Sequence, residues 1–166
     1  MRTKIFFALL ASMAAGCAGT GANLQPGVST LADVENSMGR PAEVQKAANG
    51  ETTLWYPRFP VSKVSYAARI APDGKLIGVE QRITEKNIAT IQPNRTTLAQ
   101  VRELLGPPDS VVHYSRMQRE VWTYPMFNRP QHKELYVQFS EDGIVRESWL
   151  VVDPEEIKYG GAGSFK

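Results

Sequence analysis

Two histidines, one cysteine and a scatter of carboxylates are the residues of this 166-residue chain that could do chemistry. His113 and His132 fall on different segments. Neither is followed four residues on by a histidine or glutamate, the spacing that sets two ligands on one helix face. Asp109 and Glu120 could be imagined as an acid pair, yet nothing in their spacing selects them over other carboxylates. No Gly-x-Ser-x-Gly elbow is present, and the glycines fall where turns would be. Cys17 is the only thiol, so no intramolecular disulfide can form and a zinc site would lack soft ligands. These absences point to a binding or structural protein with no catalytic residues, no metal and no cofactor.

Two loops carry a different chemistry. Pro57-Arg58-Phe59-Pro60-Val61 and Pro125-Met126-Phe127-Asn128-Arg129-Pro130-Gln131 set arginine, aromatics and methionine at strand ends. Arginine and aromatics are enriched at interface hot spots. Functional residues also concentrate on loops held by a rigid scaffold. Arg58, Phe59, Met126, Phe127 and Arg129 are therefore the expected partner-binding residues. The competing reading is an ordinary loop that folds its phenylalanine onto the core.

The elements that would position these loops are written twice. Gln25 to Pro41 returns 67 residues later as Gln92 to Pro108, with eight of seventeen pairs identical. Such self-similarity marks a duplicated unit. In each copy a threonine (Thr30, Thr97) can cap a short helix, and Gly39-Arg40-Pro41 or Gly106-Pro107-Pro108 ends it. Leu31, Val34 and Met38, then Leu98, Val101, Leu104 and Leu105, mark one apolar helix face. A helix of about two turns cannot stand alone in water, so that face must be buried. The following segments alternate with period two and predict an antiparallel meander of three to four strands per copy. Asn49-Gly50 and Asp73-Gly74 are its turn signals in copy one. Asp142-Gly143 lies two residues out of phase with Asp73-Gly74, which predicts a longer loop between the middle strands of copy two. Trp55 and Trp122, also 67 residues apart, are expected to plug equivalent cores.

The fold class is thus α+β, two tandem modules, each a short helix packed on an antiparallel sheet. Expected boundaries are 24–84 and 85–153, with a single helical turn near Thr84–Ala89 joining them and a disordered tail at 154–166. Each module is near the size limit of about 60 residues for an independent core. The two sheets must abut or continue edge to edge.

The first sixteen residues read as a signal peptide: Arg2 and Lys4, then the apolar run Ile5 to Ala11, too short for the roughly 20 residues a membrane span needs. Ala14-Ala15-Gly16-Cys17 resembles a bacterial lipobox, which implies acylation of Cys17 and a lipidated tether over 17–23. Without Arg2 and Lys4 the 19 basic residues fall to 17, against 17 acidic ones. A neutral chain with no basic stripe has no footprint for nucleic acid. Ala18 after the cysteine resembles the outer-membrane sorting signal, with the protein on the periplasmic face.

The pattern Gly27-Val28-Ser29-Thr30-x-x-Asp33-Val34-x-x-x-Met38-Gly39-x-Pro41, followed by a tryptophan strand and an Asp-Gly hairpin, resembles the SmpA/OmlA (BamE-like) family of outer-membrane lipoproteins. Copy two resembles it through Thr97, Val101, Leu105-Gly106 and Pro108. The resemblance implies a non-enzymatic role in outer-membrane protein assembly. Its partners would be envelope proteins such as those of the β-barrel assembly machine, with anionic lipid head groups as a further contact. A tandem pair of this general fold is also the plan of the secreted β-lactamase inhibitor proteins, which makes a periplasmic inhibitor module the alternative.

Overall fold

A threonine opens each helix because its hydroxyl can satisfy backbone N–H groups that have no partner inside the first turn. The computed structural model, which describes residues 19–127 and 132–152, shows a reciprocal box at both sites. In α1 (Leu31–Met38) Thr30 accepts from the Asp33 N–H and the Asp33 carboxylate accepts from the Thr30 N–H. The predicted turn between the copies is the next helix, α2 (Glu85–Ile88). In α3 (Leu98–Leu105) Thr97 and Gln100 repeat the box. Both long helices end on a glycine in nearly the same conformation, Gly39 at φ 85°, ψ −168° and Gly106 at φ 83°, ψ −164°.

Each helix lies on its own four-stranded antiparallel meander. The first sheet orders β1 (Glu43–Lys46), β2 (Thr52–Pro57), β3 (Ser65–Ile70) and β4 (Leu76–Gln81). The second orders β5 (Ser110–Tyr114), β6 (Arg119–Met126), β7 (Lys133–Ser140) and β8 (Val145–Val152). The α+β duplication read from the sequence is what the structure contains, down to a matching register irregularity in the last hairpin of each sheet (Arg69/Ile70 and Gln138/Phe139). Core one joins Val34 and Met38 to Leu54, Tyr56, Ala68, Ile70 and Leu76. Core two joins Val101 and Leu105 to Trp122, Tyr124, Leu135, Val137 and Phe139, with Ile83 and Ile91 of the linker closing one side. Burial of each such side chain contributes about 1.5–3 kcal/mol, which two-turn helices need in order to persist.

One expectation is corrected. Trp55 and Trp122 are not equivalent. Tyr56 pairs with Tyr66 and Pro57 with Ser65; Tyr124 pairs with Leu135 and Pro125 with Glu134. The Tyr-Pro steps are the structural equivalents, so Trp122 matches Leu54, and Trp55 matches Thr123. The cause is one extra residue in the first hairpin of copy two. The last paired residues enclose positions 48–50 in copy one, between Ala47 and Glu51, and 115–118 in copy two, between Tyr114 and Arg119. A one-residue slip moves a side chain to the opposite face of a sheet. The middle loop is therefore longer by a single residue, the hairpin supplying the other.

Trp122 accordingly lies in core two, its ring 5.0 Å from that of Phe139. Trp55 points to the far side of sheet one and is nevertheless only 1% exposed. Its cover is the end of α3, against Gly106. Around that contact the Arg82 Nε donates to the Leu104 carbonyl at 3.0 Å, and Arg102 makes a two-point ion pair with Glu43. Phe59 reaches from the first module onto core two. The sheets do not join; the back of sheet one is laid over the stop of α3. Residues 19–23, expected as part of a free tether, fold back on α1. Gly19 donates to the Ser37 carbonyl at 3.0 Å, and Gly21 is buried near Met38.

Candidate functional site

The loop after β2 is closed by backbone bonds, Arg58 N–H to Val64 and Ser62 N–H to the Arg58 carbonyl, both 2.9 Å. Within it, the Arg58 guanidinium turns inward. It donates to the carbonyls of Gly19 (2.9 Å) and Met38 (3.1 Å) and lies 5.7 Å from the centre of the Tyr56 ring. A cation on the last carbonyls of a helix satisfies acceptors that the helix cannot, and it complements the helix dipole. Arg58 is thereby committed to closing α1. Phe59 is half-buried against core two. Of the first loop, Pro60 and Val61 are left outside, Val61 at 90% exposure.

The second loop divides differently. Met126 is buried in core two. Phe127, the next residue, is on the surface, its ring 5.1 Å from that of His132. Arg129 and Cys17 lie outside the described residues. Of the expected partner-binding residues, Arg58, Phe59 and Met126 thus make internal contacts, and Phe127 alone of those described is exposed.

Sheet pairing brings together groups that linear spacing did not. His113 and Glu120 are cross-strand partners in the β5–β6 hairpin, with His113 Nδ1 3.1 Å from the Glu120 carboxylate. The other Glu120 oxygen accepts from the Trp122 Nε1–H. The carboxylate is held on both sides, and the imidazole is largely exposed beside an open depression of about 480 Å³ shared with Leu98, Arg119 and Phe139. Ser115 and Ser140 also line the depression, and the Ser140 hydroxyl donates to the Asp142 carboxylate while accepting from Arg146. Among the described residues, no three His, Cys, Asp or Glu are grouped to hold a metal ion. Within the core, Tyr124 donates to the Gly106 carbonyl at 2.9 Å, and burial pushes its phenol well above the ordinary range.

A feature that sequence reasoning missed is the outer face of sheet two, away from α3. Val112, Tyr114, Met117, Tyr136 and Trp149 surround a groove of about 260 Å³ whose floor is Val121 and Thr123. Tyr136 and Trp149 stack at 5.5 Å with planes only 10° apart. A signal was present: Val111-Val112 and Val121-Trp122 are apolar on both parities, as in strands covered on both faces.

The architecture is that of a tandem α+β protein, two helix-on-sheet units in one chain. Within it, residues 81–148 match the family described as the outer membrane protein assembly factor BamE domain, a stretch that holds α3 and most of sheet two. No curated protein matches the chain significantly. Among solved structures, a DUF4309 family protein (YjgB) from Bacillus subtilis is similar at 16% identity and a TM-score of 0.31, over 80% of this chain and 84% of that one. An extracellular protein containing a SCP domain from Bacillus anthracis is similar at 10% identity and a TM-score of 0.31, over 92% of this chain and 52% of that one. Neither likeness bears on function.

Proposed function

We propose that the chain is a non-enzymatic outer-membrane lipoprotein that acts through protein contacts in outer-membrane protein assembly. The observation that carries this reading is the match of residues 81–148 to the BamE domain. The first module repeats the capping box, glycine stop, strand order and last-hairpin irregularity of the matched one. Both modules, 24–84 and 85–153, are on this reading SmpA/OmlA-like. Cys17 carries the lipid that holds them to the periplasmic face, and multiple acyl chains anchor stably where one does not. The loop bearing Phe127 and Arg129 contacts protein partners or anionic head groups. The β-barrel assembly machine is the first partner to test.

Affinity purification from detergent-solubilised envelope is the experiment. A barrel-assembly subunit enriched over a Cys17→Ala control supports the proposal; its absence, with the protein correctly anchored, rejects it. Palmitate labelling checks the anchor separately, since equal labelling of Cys17→Ala would remove the lipid from the account. The alternative, an inhibitor gripping an enzyme with both sheet faces, meets an obstacle: the back of sheet one is already occupied by the end of α3.

A further inference from the structure

The back of sheet one and the outer face of sheet two are the same face of the repeated unit, yet among the described residues only the first is covered. In sheet one its centre is Trp55, with small or polar neighbours, Ala67 and Glu80, paired beside it. That projecting indole meets Gly106, where no side chain intervenes. In sheet two the register places Thr123 at the Trp55 position, Tyr136 at that of Ala67, and Trp149 at that of Glu80. Bulk has moved from the centre to the walls. The face that presented a knob to a glycine has become a groove with a short floor.

We propose that the outer face of sheet two docks a helix of another protein, one that inserts a single large apolar side chain over Thr123, between the Tyr136–Trp149 stack and Val112. The occupant is a helix because the equivalent face of sheet one receives the last turn of one, α3. It carries a large side chain because the groove reverses the shape that accepts glycine. A second copy of this chain is a poor occupant. Its own α1, the matching helix, has its last turn closed by Gly19 and Arg58. Among the described residues lining the groove none is charged, so the core of the contact is uncharged, as interface centres generally are. The inference does not rest on the assembly reading and would hold for any protein partner.

The test selects a phage-displayed helical scaffold, randomised on one face, against the full chain in detergent. Enriched clones should share one Leu, Phe, Met or Trp among otherwise small or polar contact positions. They should bind Val112→Lys, an exposed edge-strand change, at least ~10-fold more weakly, the loss expected of a hot-spot residue. Thr123→Trp, which refills the groove as Trp55 fills its equivalent, should do the same, while Phe127→Ala in the nearby loop leaves binding unchanged. The proposal is overturned if no clone is enriched or if enriched clones bind Val112→Lys as well as wild type. It is also overturned if the face serves another occupant. That outcome would show as Val112-dependent binding to phosphatidylethanolamine–phosphatidylglycerol vesicles, or as Val112-dependent self-association in sedimentation.

Discussion

Replacing Gly106 by alanine tests the junction of the two modules most directly. Two costs arise from one methyl group. At φ 83°, ψ −164° the backbone occupies a region that is essentially glycine's own, which costs about 1–3 kcal/mol for an L side chain. The new Cβ would also stand 2.3 Å from Cε3 and 2.6 Å from Cζ3 of Trp55. An indole packed between a sheet and a helix end cannot swing aside, so overpacking adds about 1–3 kcal/mol. The expected loss is about 2–6 kcal/mol, a large part of the 5–15 kcal/mol typical of a domain. Urea unfolding followed by far-ultraviolet circular dichroism reads it. Gly74→Ala is the internal control, because Gly74 shares the positive φ, at 82°, with nothing within 4 Å of its Cβ position. The decisive comparison is a double-mutant cycle. In a Trp55→Ala background the clash disappears and only backbone strain remains, so the Gly106→Ala loss should shrink by about 1–3 kcal/mol. If Gly106→Ala costs the same with and without the indole, or no more than Gly74→Ala, Trp55 is not seated on the helix stop and the described junction is wrong.

Three further outcomes follow from other contacts. Arg102, through its hydrogen bonds, holds the Glu43 carboxyl below its ordinary value of 4.5. A carboxylate whose folded-state pKa is depressed stabilises fully above the unfolded value and loses that contribution as pH falls through the folded one. Glu43→Gln should therefore flatten the acid limb of the stability curve below about pH 4.5 and remove about 1 kcal/mol near neutrality, given the partial exposure of both partners. Tyr124→Phe leaves the buried Gly106 carbonyl without its hydroxyl donor and should lower stability by about 1–2 kcal/mol in thermal or urea melts. Thr97→Ala removes the α3 cap and should cost about 1 kcal/mol, with hydrogen exchange accelerating first at the N–H groups of Gln100 and its neighbours.

The parts of this fold that were legible in the sequence are those encoded locally. Thr30 and Thr97 announce helix starts because capping needs residues three positions apart, and Gly39 and Gly106 announce stops because few other residues tolerate that backbone. The meander followed from two-residue alternation and Asn-Gly or Asp-Gly turns. Trp55 was misplaced because alternation states that two faces exist without naming which is inside, and a single residue at the 115–118 hairpin reverses the answer. The internal contacts of Arg58 and Phe59 were hidden for a related reason. Arginine and aromatics mark interfaces between any two surfaces, and Arg58 and Phe59 meet surfaces of their own chain. Pairing of His113 with Glu120 needed the register of β5 on β6, which linear spacing does not carry.

That hairpin residue also separates the roles of the two copies. With Trp55 outside its own core, the first module has a large apolar side chain that only a neighbour can bury, and α3 supplies the neighbour. Once Trp122 turns inward, the second module fills its own core, where Arg102 lies 5.7 Å from the indole centre while also holding Glu43. Its outer face is then released from duty within the chain. Apolar residues on a released face are not needed for packing, yet Val112, Tyr136 and Trp149 stand there instead of the Gln45, Ala67 and Glu80 of the first copy. Drift after duplication would tend toward polar residues on a surface exposed to water, since exposed apolar clusters favour association. The substitution runs the other way. An outside contact accounts for that direction, and Val112→Lys separates it from packing, because an exposed edge residue can take a charge without disturbing either core.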